Sequence, residues 1–547
     1  MPDEANGQMF PRLGEKQLAR LKPHGATRSF ARADVLIEPG EVNAFYIVLA
    51  GRLSVTRSDG TPFRFVNDLV PGMFSGEMSL VTGRHGFARI TAVEDSSVLE
   101  IPREELLGIL RSDSELCDVF LGAFISRRLA LVEQGAGDIL LVGSNHSQDT
   151  FRIKEFLTGN YQPYTFVDIE RDPEIEELLA RFSFGVDEVP VVICRANNVF
   201  RNPTNEELAR CLGFNAAVDR EHVRDLIVVG AGPAGLAAAV YAASEGLDVL
   251  VIEANAPGGQ AGTSSRIENF LGFPLGISGH DLAGNAFAQA EKFGADMLVA
   301  KQAKRLRCDR SPYAIQIDDA EVRSRSVIIA AGARYKRLPI DDLPRFEGAG
   351  VYYAATHLEA QFCSGAAIAV VGGGNSAGQA ALFLSATARI VYLIVRSDGL
   401  ESSMSRYLIA RIEENPKIRL LTRTEVTNLQ GKDGLETIEW RNDETGETES
   451  HHVSCLFSMI GADPNSAWLD GCLAVDEDGF VKTGPDLTRQ DLKAWNWPLS
   501  RSPLLMETSL PGVFAVGDIR SGSVKRVASA VGEGSIAISL VHRVLAE

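Results

Sequence analysis

The alternation of apolar and polar positions divides the chain into three textures. From about residue 30 to 110, short alternating apolar runs such as Phe45 to Ala50 and Leu53 to Val55 are separated by Gly51, Gly60, Gly72, Gly76 and Gly83. That period-two pattern predicts a β-rich module. From Arg103 to about Gln134 apolar residues recur at helical spacing and stop before Gly135-Ala136-Gly137, which predicts a closing helical stretch. Between 138 and 214 the pattern alternates: strand at Ile139 to Val142, helix over about 149 to 158, strand at Thr165 to Ile169, helix over 173 to 182, strand at Val189 to Ile193. This predicts a small α/β module. A polar stretch from Asn215 to Arg224 opens the third texture, in which glycine-rich turns join strands to helices as far as Glu547, with no solenoid repeat.

A chain of 547 residues exceeds what one core serves, so several domains are expected. Hydrophobic residues at 45% and charged residues at 23% describe packed globular domains rather than disorder or coiled coil. Lys and Arg number 54 against 72 Asp and Glu, and the resulting net charge of −18 argues against nucleic acid or an anionic membrane as partner. The longest uncharged apolar run, Leu226 to Ser244, is interrupted by Gly230, Gly232, Pro233 and Gly235, so it reads as strand, turn and helix rather than a membrane span. No basic-then-apolar leader follows Met1-Pro2-Asp3-Glu4, and a cytoplasmic location is the default expectation. The seven cysteines show no Cys-x-x-Cys or zinc spacing, so no metal site is expected.

Two nucleotide-binding units stand out in the third texture. In the first, strand Asp225 to Val229 leads into Gly230-Ala231-Gly232-Pro233-Ala234-Gly235, an Ala-rich helix, and a strand from Asp248 to Ile252 ending at Glu253. Gly230 makes the tight turn, Gly232 lets backbone approach a pyrophosphate, Gly235 lets helix and strand pack, and Glu253 is placed for a ribose. In the second, strand Ala367 to Val371 leads into Gly372-Gly373-Gly374-Asn375-Ser376-Ala377, a helix, and a strand Arg389 to Val395 followed by Arg396. An arginine where an acid would sit suits a ribose 2′-phosphate, so this unit leans toward NADPH, with NADH as the alternative.

Over about 224 to 545 the chain resembles the low-molecular-weight thioredoxin reductases. Besides the two turns, the motifs are Gly258-Gly259-Gln260, Glu268-Asn269-Phe270, Ile328 to Ala333, Gly461-Ala462-Asp463-Pro464-Asn465 and Gly512 to Asp518. The resemblance implies an FAD domain in two pieces, 222–336 and 470–547, with an NAD(P)H domain at 337–469 inserted between them, and a homodimer. It puts Gly259, Gln260, Asn269 and Asp518 on the flavin nucleotide, with Ala331, Gly332 and Gly517 in the matched motifs around it. The family's Cys-Ala-Thr-Cys box is missing: Tyr353-Ala354-Ala355-Thr356-His357 stands there, with Ala354 and His357 in the thiol positions. Without a thiol pair the usual exchange chemistry fails. His357 is either a polar filler of the vacated pocket or a proton donor and acceptor beside the flavin; Cys363 is either a buried structural cysteine or a thiol able to form a mixed disulfide.

Residues 138 to 214 resemble the thioredoxin fold, glutaredoxins in particular, with Val189-Pro190 where that fold places a cis proline and Ser147-Gln148-Asp149-Thr150 in place of its Cys-x-x-Cys. Residues 25 to 130 resemble the cyclic-nucleotide-binding β-roll through Gly72 to Leu80, with Gly76, Glu77, Met78 and Ser79 as the cassette. The family's phosphate-binding arginine is replaced by Gly86, flanked by Arg84 and Arg89. The expected fold class is therefore multidomain: a cyclic-nucleotide-binding-like β-roll (1–136), a thioredoxin-like α/β domain without its dithiol (137–215), and two Rossmann-type domains. The expected function is hydride transfer from NADPH to FAD and on to an acceptor other than a dithiol, with a nucleotide effector at the β-roll. Two other readings stay open: a nucleotide and redox sensor without turnover, and a thioredoxin reductase using an unusual cysteine. The extra segment between Gly484 and Gly512, with Trp495 and Trp497, either docks a partner, covers the flavin, or is merely anchored to the body.

Overall fold

The computed structural model describes residues 9–547 except 40–44, 58–67, 77–79, 82–85, 87, 134–138, 146, 171–189, 195–197, 216–218, 220, 265–266, 268–269, 310, 319, 348, 354, 356–358, 361–362, 433 and 470. The β-rich texture folds into two three-stranded antiparallel sheets, Ala26–Phe30, Ser96–Ile101 and Phe45–Ala50 in one, Val35–Ile37, Arg89–Ala92 and Leu53–Thr56 in the other. Its core is aromatic: Phe45, Phe74, Phe120 and Phe124 are all fully buried, with Phe45 and Phe74 each 4.9 Å from Phe120 edge to face. The closing helical stretch is two helices, Arg103–Ser112 and Ser114–Glu133, because Asp113 adopts an extended backbone between them and caps the second through its side chain to Leu116 N–H.

The second module is a four-stranded sheet in the order Asn198–Arg201, Val191–Cys194, Ile139–Gly143, Thr165–Asp168, parallel between the last two and antiparallel elsewhere. Helix Gln148–Gly159 is started by Ser147, whose Oγ accepts from Thr150 N–H, and helix Asn205–Leu212 by a capping box between Thr204 and Glu207. The helix expected over 173 to 182 and Val189 of the expected cis-proline pair lie outside the described residues.

The third texture holds the two Rossmann-type sheets. In the first, Asp296–Val299, Val249–Glu253, Val223–Val229 and Ala320–Ile329 run parallel, and Val513–Ala515 joins the far edge residue for residue, Val327 opposite Val513. The chain thus leaves this sheet and returns nearly two hundred residues later. In the second, Val351–Tyr352, Cys455–Ser458, Ala367–Val371, Ile390–Ile394 and Ile418–Leu421 are all parallel. Almost every strand residue of the two central strands is fully buried, as expected of strands covered on both faces.

The modules share surfaces. Ala288, from helix Gly279–Phe293 of the first Rossmann unit, sits in the core of the β-roll, and Arg111 Nε donates to Lys292 O at 3.2 Å beside it. The ring of Tyr161, from the second module, stacks on His280 at 4.0 Å. Lys301 pairs with Glu206 of the second module at 2.7 Å and with Asp318 at 2.6 Å.

Candidate functional site

The first glycine-rich turn folds as its spacing requires. Gly230 has φ +103°, and a Cβ there would lie 2.3 Å from Ala330 O; a Cβ on Gly235 would lie 1.8 Å from Gly230 O. Pro233 begins helix Pro233–Ser244, where its missing N–H costs nothing. Gly232 differs from its neighbours: its backbone is ordinary, at φ −70° and ψ −178°, and a Cβ would meet nothing of the chain within 4 Å. Gly232 lines a cavity of about 930 Å³, so the empty space over it is where a ligand's phosphates would lie against the helix N-terminus. These residues fit a dinucleotide.

The cavity collects most of the expected flavin residues: Gly230, Gly232, Pro233, Ala234, Glu253, Gly259, Gln260, Ala331, Gly332, Gly517 and Asp518 all line it. Gly235 lies one layer behind, under the turn. Glu253 is buried; its carboxylate accepts from Ala231 N–H at 2.7 Å and Asn255 N–H at 2.9 Å, and burial raises its pKa against those backbone donors. Gln260 is held by a hydrogen bond from its Nε2 to Ala333 O. Asn465, from the matched motif, donates through Nδ2 to Ala331 O at 2.8 Å and so fixes the Ala331–Gly332 backbone. Gly517 N–H donates to Glu533 at 2.7 Å, and burial, with Glu533 nearby and against Lys525, raises the pKa of Asp518. Asn269 lies outside the described residues.

The second nucleotide unit faces the same cavity. Ser376 lines it, together with Gln379, Ala380 and Phe383 from helix Asn375–Leu384. Asn375 acts structurally: its Oδ1 accepts from Ser405 N–H at 2.8 Å. Gly372 lies at the strand end with φ +139°, Gly374 caps the helix with open space over its Cα, and Ala377 is buried behind them. Arg396 is exposed just past the strand Ile390–Ile394, outside the shared cavity. Arg334, Arg411 and Arg526 line the cavity although no motif pointed to them, since isolated cations carry no spacing signal.

Tyr353 and Ala355, from the segment standing in for the dithiol box, line the cavity too, and no cysteine does among the described residues. Tyr353 OH donates to Glu347 at 2.6 Å. His357 lies outside the described residues. Cys363 is not a lone thiol: it is buried and joined to Cys455 in a disulfide. Two further disulfides, Cys194–Cys211 and Cys308–Cys472, leave Cys117 as the one free cysteine. Among the described residues no group of three or more His, Cys, Asp or Glu could hold a metal ion, and no helix is long and apolar enough to cross a membrane.

In the β-roll, Gly76 is fixed by Arg127, which donates to Gly76 O at 2.6 Å while lying over the rings of Phe10 and Phe74. Arg89, one of the two arginines considered for a phosphate, is already paired with Glu38 at 2.9 Å. Glu77, Met78, Ser79 and Arg84 lie outside the described residues. The segment between Gly484 and Gly512 does not cover the main cavity. Within it Trp497 Nε1 donates to Arg501 O, and Arg501 bridges the fully buried Glu507 of the same segment at 2.6 Å to Glu547 outside it at 2.9 Å, which ties the segment to the C-terminal helix.

A family model described as pyridine nucleotide-disulphide oxidoreductase matches residues 224–534, more than half of the chain, and one described as cyclic nucleotide-binding domain matches 27–113. The chain is similar to a thioredoxin reductase of Mycolicibacterium smegmatis, 34% identical over 325 residues that cover 59% of this chain and 97% of that protein. It is 33% identical over 338 residues to NADPH-dependent thioredoxin reductase 3 of Arabidopsis thaliana, and that match spans 59% of each chain. The crystal structure of Lactococcus lactis thioredoxin reductase in its FR conformation covers 59% of this chain and 99% of its own, with 27% identity and a TM-score of 0.53.

Proposed function

The chain belongs to the pyridine nucleotide-disulphide oxidoreductase family, and we propose that it works as an FAD-dependent NADPH oxidoreductase of thioredoxin reductase type whose electrons leave for an acceptor other than a dithiol. The observation that carries this reading is the shared cavity: the first glycine-rich turn and, from the second unit, Ser376 and its helix line it, the box-replacing residues Tyr353 and Ala355 line it, and no cysteine does among the described residues. Bound there, FAD would accept a hydride from NADPH and release electrons singly or in pairs.

The chain's own residues do the rest. The N–H groups of Gly232 and Ala234 receive the pyrophosphate, and Glu253 receives ribose hydroxyls while Ala231 N–H keeps its carboxylate in place. Asp518 and Gln260 orient the remainder of the flavin nucleotide, and Ser376 with the open backbone at Gly374 receives the pyridine nucleotide. Arg396 selects the 2′-phosphate from its exposed position. Tyr353, whose pKa is raised first by burial and then by Glu347, stays protonated at the cavity wall.

The β-roll takes a nucleotide effector through the cassette around Gly76, and its grip on helix Gly279–Phe293 at Ala288 gives it a route to the flavin segment, since Ala283 of that helix lies directly against Gly258. The likeness to the thioredoxin reductases is what supports a homodimer. Steady-state turnover decides between this reading and a sensor: an enzyme oxidises NADPH continuously with a quinone, whereas a sensor is reduced once and stops.

A further inference from the structure

In the second module, helix Gln148–Gly159 starts at Ser147 to Thr150, the stretch in which the thioredoxin fold would present its thiols. That end of the helix is not turned to solvent alone. Gln148 Nε2 donates to Pro344 O of the inserted nucleotide-binding module. One turn on, the Phe151 ring lies 5.8 Å from that of Tyr352 and packs on the apolar cluster that holds Tyr352, Ala355, Ala360 and Cys363. Glu155, a further turn along, faces the buried Glu359. The helix therefore packs on Tyr352 and reaches Glu359, described residues on either side of the segment that stands in for the missing dithiol box.

Thiol–disulfide exchange passes through a mixed disulfide, so two dithiol sites that trade electrons must meet face to face. Here the helix turn that would carry one pair of thiols packs on Pro344, Tyr352 and Glu359, which flank the segment that would carry the other. We propose that the second module is a built-in, chemically inert occupant of the face on which the nucleotide-binding module would receive a thioredoxin-fold protein, and that it closes this face to diffusible partners of that fold. Inertness follows from the residues: Ser147 Oγ serves as the helix cap and Thr150 is buried, and neither can form a disulfide. The module is also held from its other side, by Tyr161 on His280 and by Glu206 on Lys301, so it is clamped between two neighbours. The inference rests on the reading that the acceptor is not a dithiol protein, and it supplies a steric reason for that reading.

The test is photocrosslinking of the full-length flavin-loaded protein carrying benzoylphenylalanine in place of Gln148. Irradiation is expected to join position 148 to a peptide within 343–360 of the same chain. Tethering holds the module at an effective concentration of about a millimolar, so thioredoxin added at roughly a tenth of that should leave the yield nearly unchanged. Phe151→Glu, which loses the ring contact, should lower the yield about fivefold; Phe151→Ala serves in its place if that variant fails to fold. Crosslinks that fall outside 343–360, a yield indifferent to the Phe151 substitution, or capture of thioredoxin by the probe would each overturn the proposal. NADPH oxidation with a quinone on the same preparations reports on the acceptor reading separately. Lost turnover with the crosslink intact removes only that reading, and scattered crosslinks with turnover intact remove only the docking.

Discussion

Gly232 and Gly235 lie three residues apart in one turn, and the geometry separates their roles. At Gly232 a Cβ meets nothing of the chain, and the backbone angles suit a β-branched residue, so Gly232→Val should change the stability of the flavin-free protein by less than about 0.5 kcal/mol. The new methyls would project into the cavity where the pyrophosphate has to reach the helix N-terminus. Losing two charge-assisted hydrogen bonds at about 1.5–3 kcal/mol each removes roughly 3–6 kcal/mol of binding, or two to four decades of affinity. At Gly235 the added Cβ would lie 1.8 Å from Gly230 O, so the backbone itself must shift; Gly235→Ala should cost about 3 kcal/mol or more of fold stability. The assay is the flavin-to-protein ratio after gel filtration, paired with thermal unfolding of the stripped proteins. A colourless Gly232→Val protein that melts with the stripped parent, beside a Gly235→Ala protein that melts well below it, is the expected pair. Full flavin in Gly232→Val would refute the assignment of this cavity to FAD.

Three further outcomes follow from individual contacts. Arg396→Ala should weaken NADPH about ten- to a hundredfold and leave NADH nearly unchanged in binding titrations; equal weakening of both would show that Arg396 does not read the 2′-phosphate. Arg501→Ala leaves the fully buried Glu507 without its cation, though Leu504 N–H and Gly512 N–H still donate to it, so calorimetry should show about 3 kcal/mol of lost stability. Neighbouring protein atoms, and then the nearby Glu359, push the Glu155 carboxyl up to about 7, although the residue as a whole is exposed. A carboxyl whose pKa is raised on docking favours the docked state most below its free value of 4.5 and loses that contribution as pH rises through about 7. The 148-to-343–360 crosslink should therefore weaken from pH 5.5 to pH 8, and Glu155→Gln should flatten the profile.

What was legible in the chain followed from local spacing. The turn from Gly230 to Gly235 and the acid at Glu253 sit within one strand–helix–strand unit, so a pattern of glycines is enough to read the turn that the structure shows. The motif at 461–465 was legible as a motif, but its task was not; only pairing of Ala462–Pro464 with Ala333–Tyr335 brings Asn465 to Ala331. Cysteine spacing excluded a Cys-x-x-Cys box and a zinc site, yet said nothing of pairs separated by 92 or 164 residues, which only the folded sheets bring together. Arg89 illustrates the opposite limit: its position beside the cassette suggested a phosphate ligand, while its strand pairing delivers it to Glu38. Arg334, Arg411 and Arg526 had no signal at all, because a cation becomes part of a site only through where three separate elements converge.

On the proposed reading, electrons leave this protein without passing through a thiol. The most direct test is continuous NADPH oxidation by the intact flavin-loaded protein with a quinone, and in parallel with oxidised thioredoxin, before and after reduction and alkylation of every accessible cysteine. The expected result is quinone-dependent turnover that survives alkylation within about twofold, since no cysteine among the described residues lines the cavity, with negligible thioredoxin reduction throughout. Efficient thioredoxin reduction that vanishes in Cys363→Ser or Cys455→Ser would contradict the account, because it would make the buried Cys363–Cys455 pair the working dithiol.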